Sequence, residues 1–164
     1  MTHGGDEFKE AMGAVTPLAD QNRIPPPKPS VQAVVRQNST AIEISDALSD
    51  HGVAPEEFRR NGLPRIALRR LRNSPIEDSL DLHGNTVEGA RLLLQQFLFE
   101  AGERGLRCVR IIHGKGINSR GNEAVLRTHA RNWLYQHPEV LAYCQATPNQ
   151  GGSGAALVLL KVRT

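Results

Sequence analysis

The chain has 164 residues and a formal net charge of +3, enough for one domain with a real core but not comfortably for two. It contains no run of about 18 apolar residues, which excludes a membrane span, and its opening "MTHGGDEFKE" lacks the basic-then-apolar layout of a secretory signal, so the expected location is the cytoplasm. Its two cysteines, Cys108 and Cys144, match neither a disulfide framework nor a zinc spacing; both lie in apolar, strand-like runs and are expected as buried, reduced thiols.

Residues 1–40 are poor in large apolar side chains. "RIPPPKPS", Arg23 to Ser30, holds four prolines in eight positions, a composition that favours extended, solvated backbone over a packed fold. A disordered tail or linker is expected there. Residues 41–76 form a basic, partly helical arm, in which "APEEFRRNGLPRIALRRLRNSP" predicts one or two short helices broken at Gly62 and Pro64. The arm is placed to cover the edge or open face of the sheet that follows. Between Arg59 and Arg72 the sequence has six arginines and no acidic residue. Such a cluster attracts phosphate, which arginine forks bind in a bidentate way, although a solvated helix face would also account for it. Arg65, Arg69, Arg70 and Arg72 are therefore candidate nucleic-acid contacts.

Residues 77–164 carry regular elements. "SLDLH" reads as a short strand. In "TVEGARLLLQQFLFEAGERG", Thr86 caps a helix whose Val87, Ala90, Leu94, Phe97, Leu98 and Ala101 share one face, and Gly102 and Gly105 mark its end. "LRCVRII" is a second strand, rich in branched residues. "HGKGINSRGN" is a loop, and "EAVLRTHARNWLYQH" a helix with Leu126, Ala130, Trp133 and His137 along one stripe. "VLAYCQA" and "AALVLLKV" are strands joined by the turn-rich "TPNQGGSG". The order βαβαββ predicts an α/β fold, a two-layer sandwich with both helices on one face of a mixed four-stranded sheet. Parallel pairing is expected among the first three strands, and an antiparallel hairpin for the last.

Residues two apart on a strand share a face, so Asp81 and His83 project together while Leu80 and Leu82 enter the core. Both lie at the carboxyl end of their strand, where open parallel sheets place ligand crevices. His113 ends the second strand at the equivalent place, so the three converge if the strands are adjacent. Two imidazoles and a carboxylate suit phosphodiester cleavage: histidine exchanges protons near neutral pH, and a carboxylate fixes its tautomer. Lys115, Arg120 and the amides of the Gly114 and Gly116 turn are positioned to hold a phosphate. Taken singly, each motif has a plainer reading as turn architecture, and a metal site from Asp81, His83 and His113 is a lesser alternative. Gly151, Gly152 and Gly154 fit hairpin geometry first, and second a close approach of a nucleic-acid backbone.

In that order and over about 80 residues, "LDLHGNTVEGA", "HGKG" and "GGSGAALVLL" together resemble the Smr domain, the small MutS-related domain, and the preceding "FRRNGLPRIALRRLRN" resembles the arm of stand-alone bacterial members. The resemblance implies a fold similar to the C-terminal domain of bacterial initiation factor three. It also implies nucleic-acid binding and, in several members, endonuclease activity, either nicking of DNA or cleavage of messenger RNA on stalled or collided ribosomes. Asp81, Leu82 and His83 match one family motif, and His113, Gly114, Lys115 and Gly116 the other. The leading expectation is a monomeric endonuclease acting on RNA, with the ribosome as a partner. Asp81 orients His83, His113 serves as second acid/base or phosphate contact, Lys115 neutralises the phosphate, and the arginines, with Gly151 and Gly152, track the backbone. No cofactor is required, though a divalent metal such as magnesium is compatible. A DNA-nicking enzyme and a non-catalytic nucleic-acid-binding module are the alternatives.

Overall fold

The computed structural model describes residues 42–47, 52–116 and 122–163. The expected tail at 1–40 and the loop position Arg120 lie outside the described residues. The elements are β1 (Phe58–Arg59), α1 (Ile66–Asn73), β2 (Asp78–Asp81), α2 (Val87–Glu103), β3 (Cys108–Ile112), α3 (Asn122–Gln136), β4 (Val140–Gln145) and β5 (Ala155–Leu160). Two single 3₁₀ turns, Pro148–Gln150 and Gly152–Gly154, connect β4 to β5.

Helix α2 starts where the sequence places it. Thr86 Oγ1 accepts a hydrogen bond from the Gly89 amide at 3.1 Å, satisfying one of the donors that the first turn leaves unpaired, and Glu88 adds a favourable charge there. Ala90, Leu94, Leu98 and Ala101 form its buried stripe. With α3 it covers one face of the sheet, closing a core that includes Leu82, Val109, Ile111, Leu126, Trp133 and Val158. This is the expected helix layer on a mixed sheet.

The strand order is β1-β4-β5-β3-β2. Strands β2 and β3 pair in parallel, with Asp81 opposite Ile112. Strand β5 is antiparallel to both β3 and β4. The expected parallel pairing of the first three strands is corrected here: β4 runs in the same direction as β2 and β3 but is separated from them by β5. The composition of β5, "AALVLL", supplies the reason. A strand with no polar residue on either face fits the middle of a sheet, and all but one of its positions are buried.

A fifth strand is the second departure. Phe58 and Arg59, expected in a helix, instead pair with Tyr143 and Ala142 at the β4 edge. The Phe58 ring sits 4.7 Å from that of Tyr135 and 5.6 Å from that of Tyr143. Arg60 donates to the carbonyls of Val140 and His137 at 2.7 and 2.8 Å, so the arm is stitched to the edge it covers. Beyond Gly62, at φ +93°, α1 lies on the second face of the sheet. It buries Leu71 against Cys108, Cys144 and Leu157. Both thiols are free and buried, and burial pushes the Cys144 thiol up to about 11.

Residues 42–47 dock on the helix layer. Asp46 accepts from Trp133 Nε1 at 3.1 Å and from Arg91 at 2.8 Å. Ser45 exchanges two hydrogen bonds with the Gln136 amide, at 3.0 and 3.1 Å. Ile44 is buried. Among the described residues, no helix is long and apolar enough to cross a membrane.

Candidate active site and nucleic-acid interface

The register of β2 on β3 is fixed at its start. The Glu77 carboxylate accepts the Arg107 and Cys108 amides at 2.6 and 2.7 Å, and these two bonds, that to Cys108 foremost, hold its pKa below the usual carboxylate range. At the other end, the Leu82 amide reaches the Ile112 carbonyl at 2.7 Å, carrying the ladder one residue past the strand. Gly84, at φ +75°, then turns the chain. In this frame Leu80 and Leu82 pack toward the helix layer, while Ser79 and Asp81 occupy the face that carries α1.

His83 folds back onto Asp81. One carboxylate oxygen, Oδ1, accepts both the His83 amide at 3.0 Å and the imidazole Nδ1 at 2.5 Å. With Nδ1 as the donor, Nε2 is the ring nitrogen that bears the lone pair. The side chains of His83 and Asp81 are 66% and 47% exposed. A pair this open to water adds little to stability; what it does is hold one tautomer of an accessible imidazole.

His113 does not join them. The condition set by the sequence is met, because β2 and β3 are adjacent and parallel, but Asp81 is opposite Ile112, so His113 falls one residue further and turns to the helix-layer face. It is 1% exposed, and its Nδ1 donates to the Gly114 carbonyl at 3.0 Å. Burial, with Arg131 and Arg127 of α3 acting in the same direction, lowers its pKa to about 4 despite the opposing hydrogen bond to Gly114. At neutral pH it is a neutral, shielded ring. The convergence of three side chains is thus corrected to a pair at the surface and a buried third histidine supporting the loop.

The glycine-rich loop is similarly engaged with the protein itself. The Gly154 carbonyl accepts both the His113 and the Gly114 amides, at 2.9 and 3.0 Å, so the Gly114 amide expected to hold a phosphate is already bonded. A Cβ on Gly154 would lie 2.9 Å from Lys115 Cγ and 3.3 Å from the Gly114 carbonyl carbon. The backbone that approaches this glycine closely belongs to the chain's own loop. Gly151 and Gly152 have φ values of +121° and +57°, which hairpin geometry demands and other residues rarely adopt. Gly116, at φ +73°, packs against the first turn of α3, where a Cβ would meet the Ala124 nitrogen at 3.1 Å. Lys115 is exposed.

The basic arm divides into two groups. Arg59 donates to the Leu63 carbonyl at 2.5 Å, Arg60 latches β4, and Arg72 pairs with Glu57. Arg65, Arg69 and Arg70 are exposed and have no carboxylate partner among the described residues. They sit on or beside α1, on the same face of the sheet as Asp81. Arg110, the one charged residue of β3 and not among the candidates named from the sequence, shares this face with Ser79 and Asp81. Its signal was present in "CVRII": a lone arginine at an alternating position of an otherwise apolar strand.

Comparison with known proteins identifies the family. Residues 80–161 match the Smr domain. The chain is 41% identical over 109 residues to "Probable DNA endonuclease SmrA" of Escherichia coli (strain K12), covering 65% of this chain and 58% of that protein. It is 30% identical over 165 residues to "Ribosome rescue factor SmrB" of Vibrio parahaemolyticus, covering 94% and 90% respectively. Among solved structures, YdaL, a stand-alone small MutS-related protein from Escherichia coli, superposes with a TM-score of 0.60 at 41% identity, over 65% of this chain and 83% of that one. The Asp-Leu-His strand exit, the His-Gly-Lys-Gly loop and the glycine hairpin locked to it all fall within the matched segment: the chain belongs to the Smr-domain family.

Proposed function

We propose that the protein is an endonuclease that cleaves RNA, with Asp81 and His83 as its reacting pair. The observation that carries this reading is the 2.5 Å contact between an exposed imidazole and an exposed carboxylate, on the face that also presents arginines with no carboxylate partner among the described residues. Asp81 holds the proton on Nδ1, so Nε2 of His83 takes the proton from a ribose 2′-hydroxyl. The 2′-oxygen attacks the adjacent phosphorus, and the bond from phosphorus to the 5′-oxygen breaks. The departing 5′-oxygen takes up a proton from water while the His83 imidazolium returns its own to the solvent, leaving a 2′,3′-cyclic phosphate and a 5′-hydroxyl. This route uses an internal nucleophile and needs no cofactor. Among the described residues, no group of three metal-ligating side chains converges; a divalent ion such as magnesium, which takes oxygen ligands, would find a donor in the Asp81 carboxylate. His113 acts by holding the loop that presents Lys115, and Lys115 by neutralising the phosphate. The Vibrio relative's name, a ribosome rescue factor, supports ribosome-bound messenger RNA in the cytoplasm as the target.

The second reading, DNA nicking, is supported by the name of the Escherichia coli relative. Purified full-length protein offered single-stranded RNA and supercoiled plasmid, with and without EDTA, separates the two. RNA products with 5′-hydroxyl ends, formed in EDTA and lost in the Asp81→Ala/His83→Ala variant, are expected. Cleavage by a well-folded double variant would overturn the site; nicking of plasmid alone would turn the assignment to DNA. Salt-sensitive binding without product under any metal or pH would make the protein a non-catalytic binding module.

A further inference from the structure

Arg110 lies inside β3, flanked along its strand by Cys108 and Ile112, which pack in the cluster under α1. On one side Arg110 is in register with Ser79 of β2, and on the other with Leu157 of β5. Its guanidinium bridges two elements, donating from Nε to Ser79 Oγ at 3.1 Å and from NH1 to the Gln150 carbonyl at 3.1 Å. No carboxylate among the described residues neutralises it. A guanidinium has five N–H donors, and these two bonds orient the fork without exhausting it. Asp81 is two residues along β2 from Ser79, on the same face, so the fixed charge stands within the sheet between the α1 arginines and the reacting pair.

We propose that Arg110 binds the backbone phosphate next to the scissile one, and that single-stranded RNA crosses this open face from α1 over Arg110 to the exit of β2. The proposal rests on the reading of Asp81 and His83 as an RNA-cleaving pair. A long strand-borne side chain held at two points positions a phosphate more rigidly than the exposed arginines of a surface helix, and its fork suits two phosphate oxygens. Arg110 is a binding and positioning residue that sets where along the RNA the bond presented to His83 falls. The Ser79 hydroxyl and the Gln150 carbonyl hold its aim.

The first test measures binding alone, with a short single-stranded oligonucleotide of 2′-O-methyl RNA, which lacks the nucleophile and is not cleaved. Arg110→Gln keeps a donor for the two neighbours but removes the charge. Its Kd is expected to rise about tenfold, and the slope of log affinity against log salt to fall by about 0.7, the contribution of one single-strand phosphate. Arg110→Lys should keep the slope and lose affinity severalfold. Unchanged Kd and slope in folded Arg110→Gln would overturn the proposal whether or not the protein cuts RNA. The second test needs only wild-type protein if the variants fail to fold. A substrate with a single ribose 2′-hydroxyl fixes the scissile bond, and a neutral methylphosphonate replaces one flanking linkage at a time. One position should cost about tenfold in kcat/KM for wild type, and a folded Arg110 variant should not feel it. Equal sensitivity at every linkage, or at none, sinks the assignment. An uncleaved control substrate instead counts against the reading of Asp81 and His83.

Discussion

Gly154 leaves Lys115 no room for a side chain opposite it: a Cβ on Gly154 would stand 2.9 Å from Lys115 Cγ and 3.3 Å from the Lys115 nitrogen. Gly154→Ala therefore has to push the loop away from the hairpin. The substitution should cost about 1–3 kcal/mol in stability, as overpacking does. It should also lower cleavage by about 10- to 100-fold, because the loop carrying Lys115 moves relative to Asp81 and His83. Thermal unfolding and initial rates on one preparation test this, and an unaltered rate would show that the loop takes no part.

Asp81→Asn keeps an acceptor for the imidazole but loses the negative charge. Because both side chains are largely exposed, stability should stay within about 0.5 kcal/mol of wild type. The cleavage rate should fall by a factor of about 100 or more, in the range of general acid–base contributions. Binding of uncleavable 2′-O-methyl RNA, measured in parallel, should change by less than about threefold. Loss of binding together with rate would recast Asp81 as a structural residue.

Burial holds the His113 pKa at about 4, from an ordinary 6.5. As pH falls through about 6.5 the unfolded chain takes up a proton that the native protein refuses until near pH 4. Between these values the unfolded state binds more protons, so stability drops as pH drops, by roughly 3 kcal/mol from this group. His137, whose pKa burial also lowers, adds to the same trend. Urea midpoints followed across this window should decline more gently in His113→Gln. An equally steep decline would assign the effect to other groups.

Trp133 is the only tryptophan in the chain, fully buried, and its indole N–H rests on Asp46. Asp46→Ala leaves that donor without its acceptor and removes the partner of Arg91, at an expected cost of about 1–3 kcal/mol. Red-shifted, more quenchable emission should accompany it as residues 42–47 lift from the helix layer. Cleavage should be unaffected at temperatures where the variant is folded, because that layer lies across the sheet from the Asp81 face. A wild-type emission spectrum would refute the attachment.

Leu71 is the one buried residue of α1. Leu71→Ala should cost about 2–5 kcal/mol, and by loosening the helix that presents Arg69 and Arg70 it should weaken RNA binding about tenfold or more. Full affinity in this variant would remove α1 from the path of the nucleic acid.

Local pattern carried most of the fold. Thr86, the stripe from Ala90 to Ala101 and the apolar run of β5 each specify their element through side-chain period or capping chemistry. The order of the strands is a property of pairing, which no local period encodes; that β5 lies between β3 and β4 was visible only as its lack of polar residues. The same gap explains His113. Its parity within β3 could be read, but whether that parity matched Asp81 depends on the register of two strands. The arginine cluster was legible as a charge and not as a division of labour: which of its members hold β4 or Glu57 depends on carbonyls and carboxylates far away in sequence. Phe58 and Arg59 became a strand because an open edge of β4 was available, and no property of the arm itself announces that edge.

The doubly accepting carbonyl of Gly154 has a bearing on protein engineering. It joins the end of one strand to the start of another, so the two glycine motifs form a single part, although some forty residues of chain separate them. A designer who grafts the His-Gly-Lys-Gly segment alone onto a foreign scaffold would transplant a loop without its anvil. The smallest portable unit is the exits of β2 and β3 together with the glycine hairpin leading into β5.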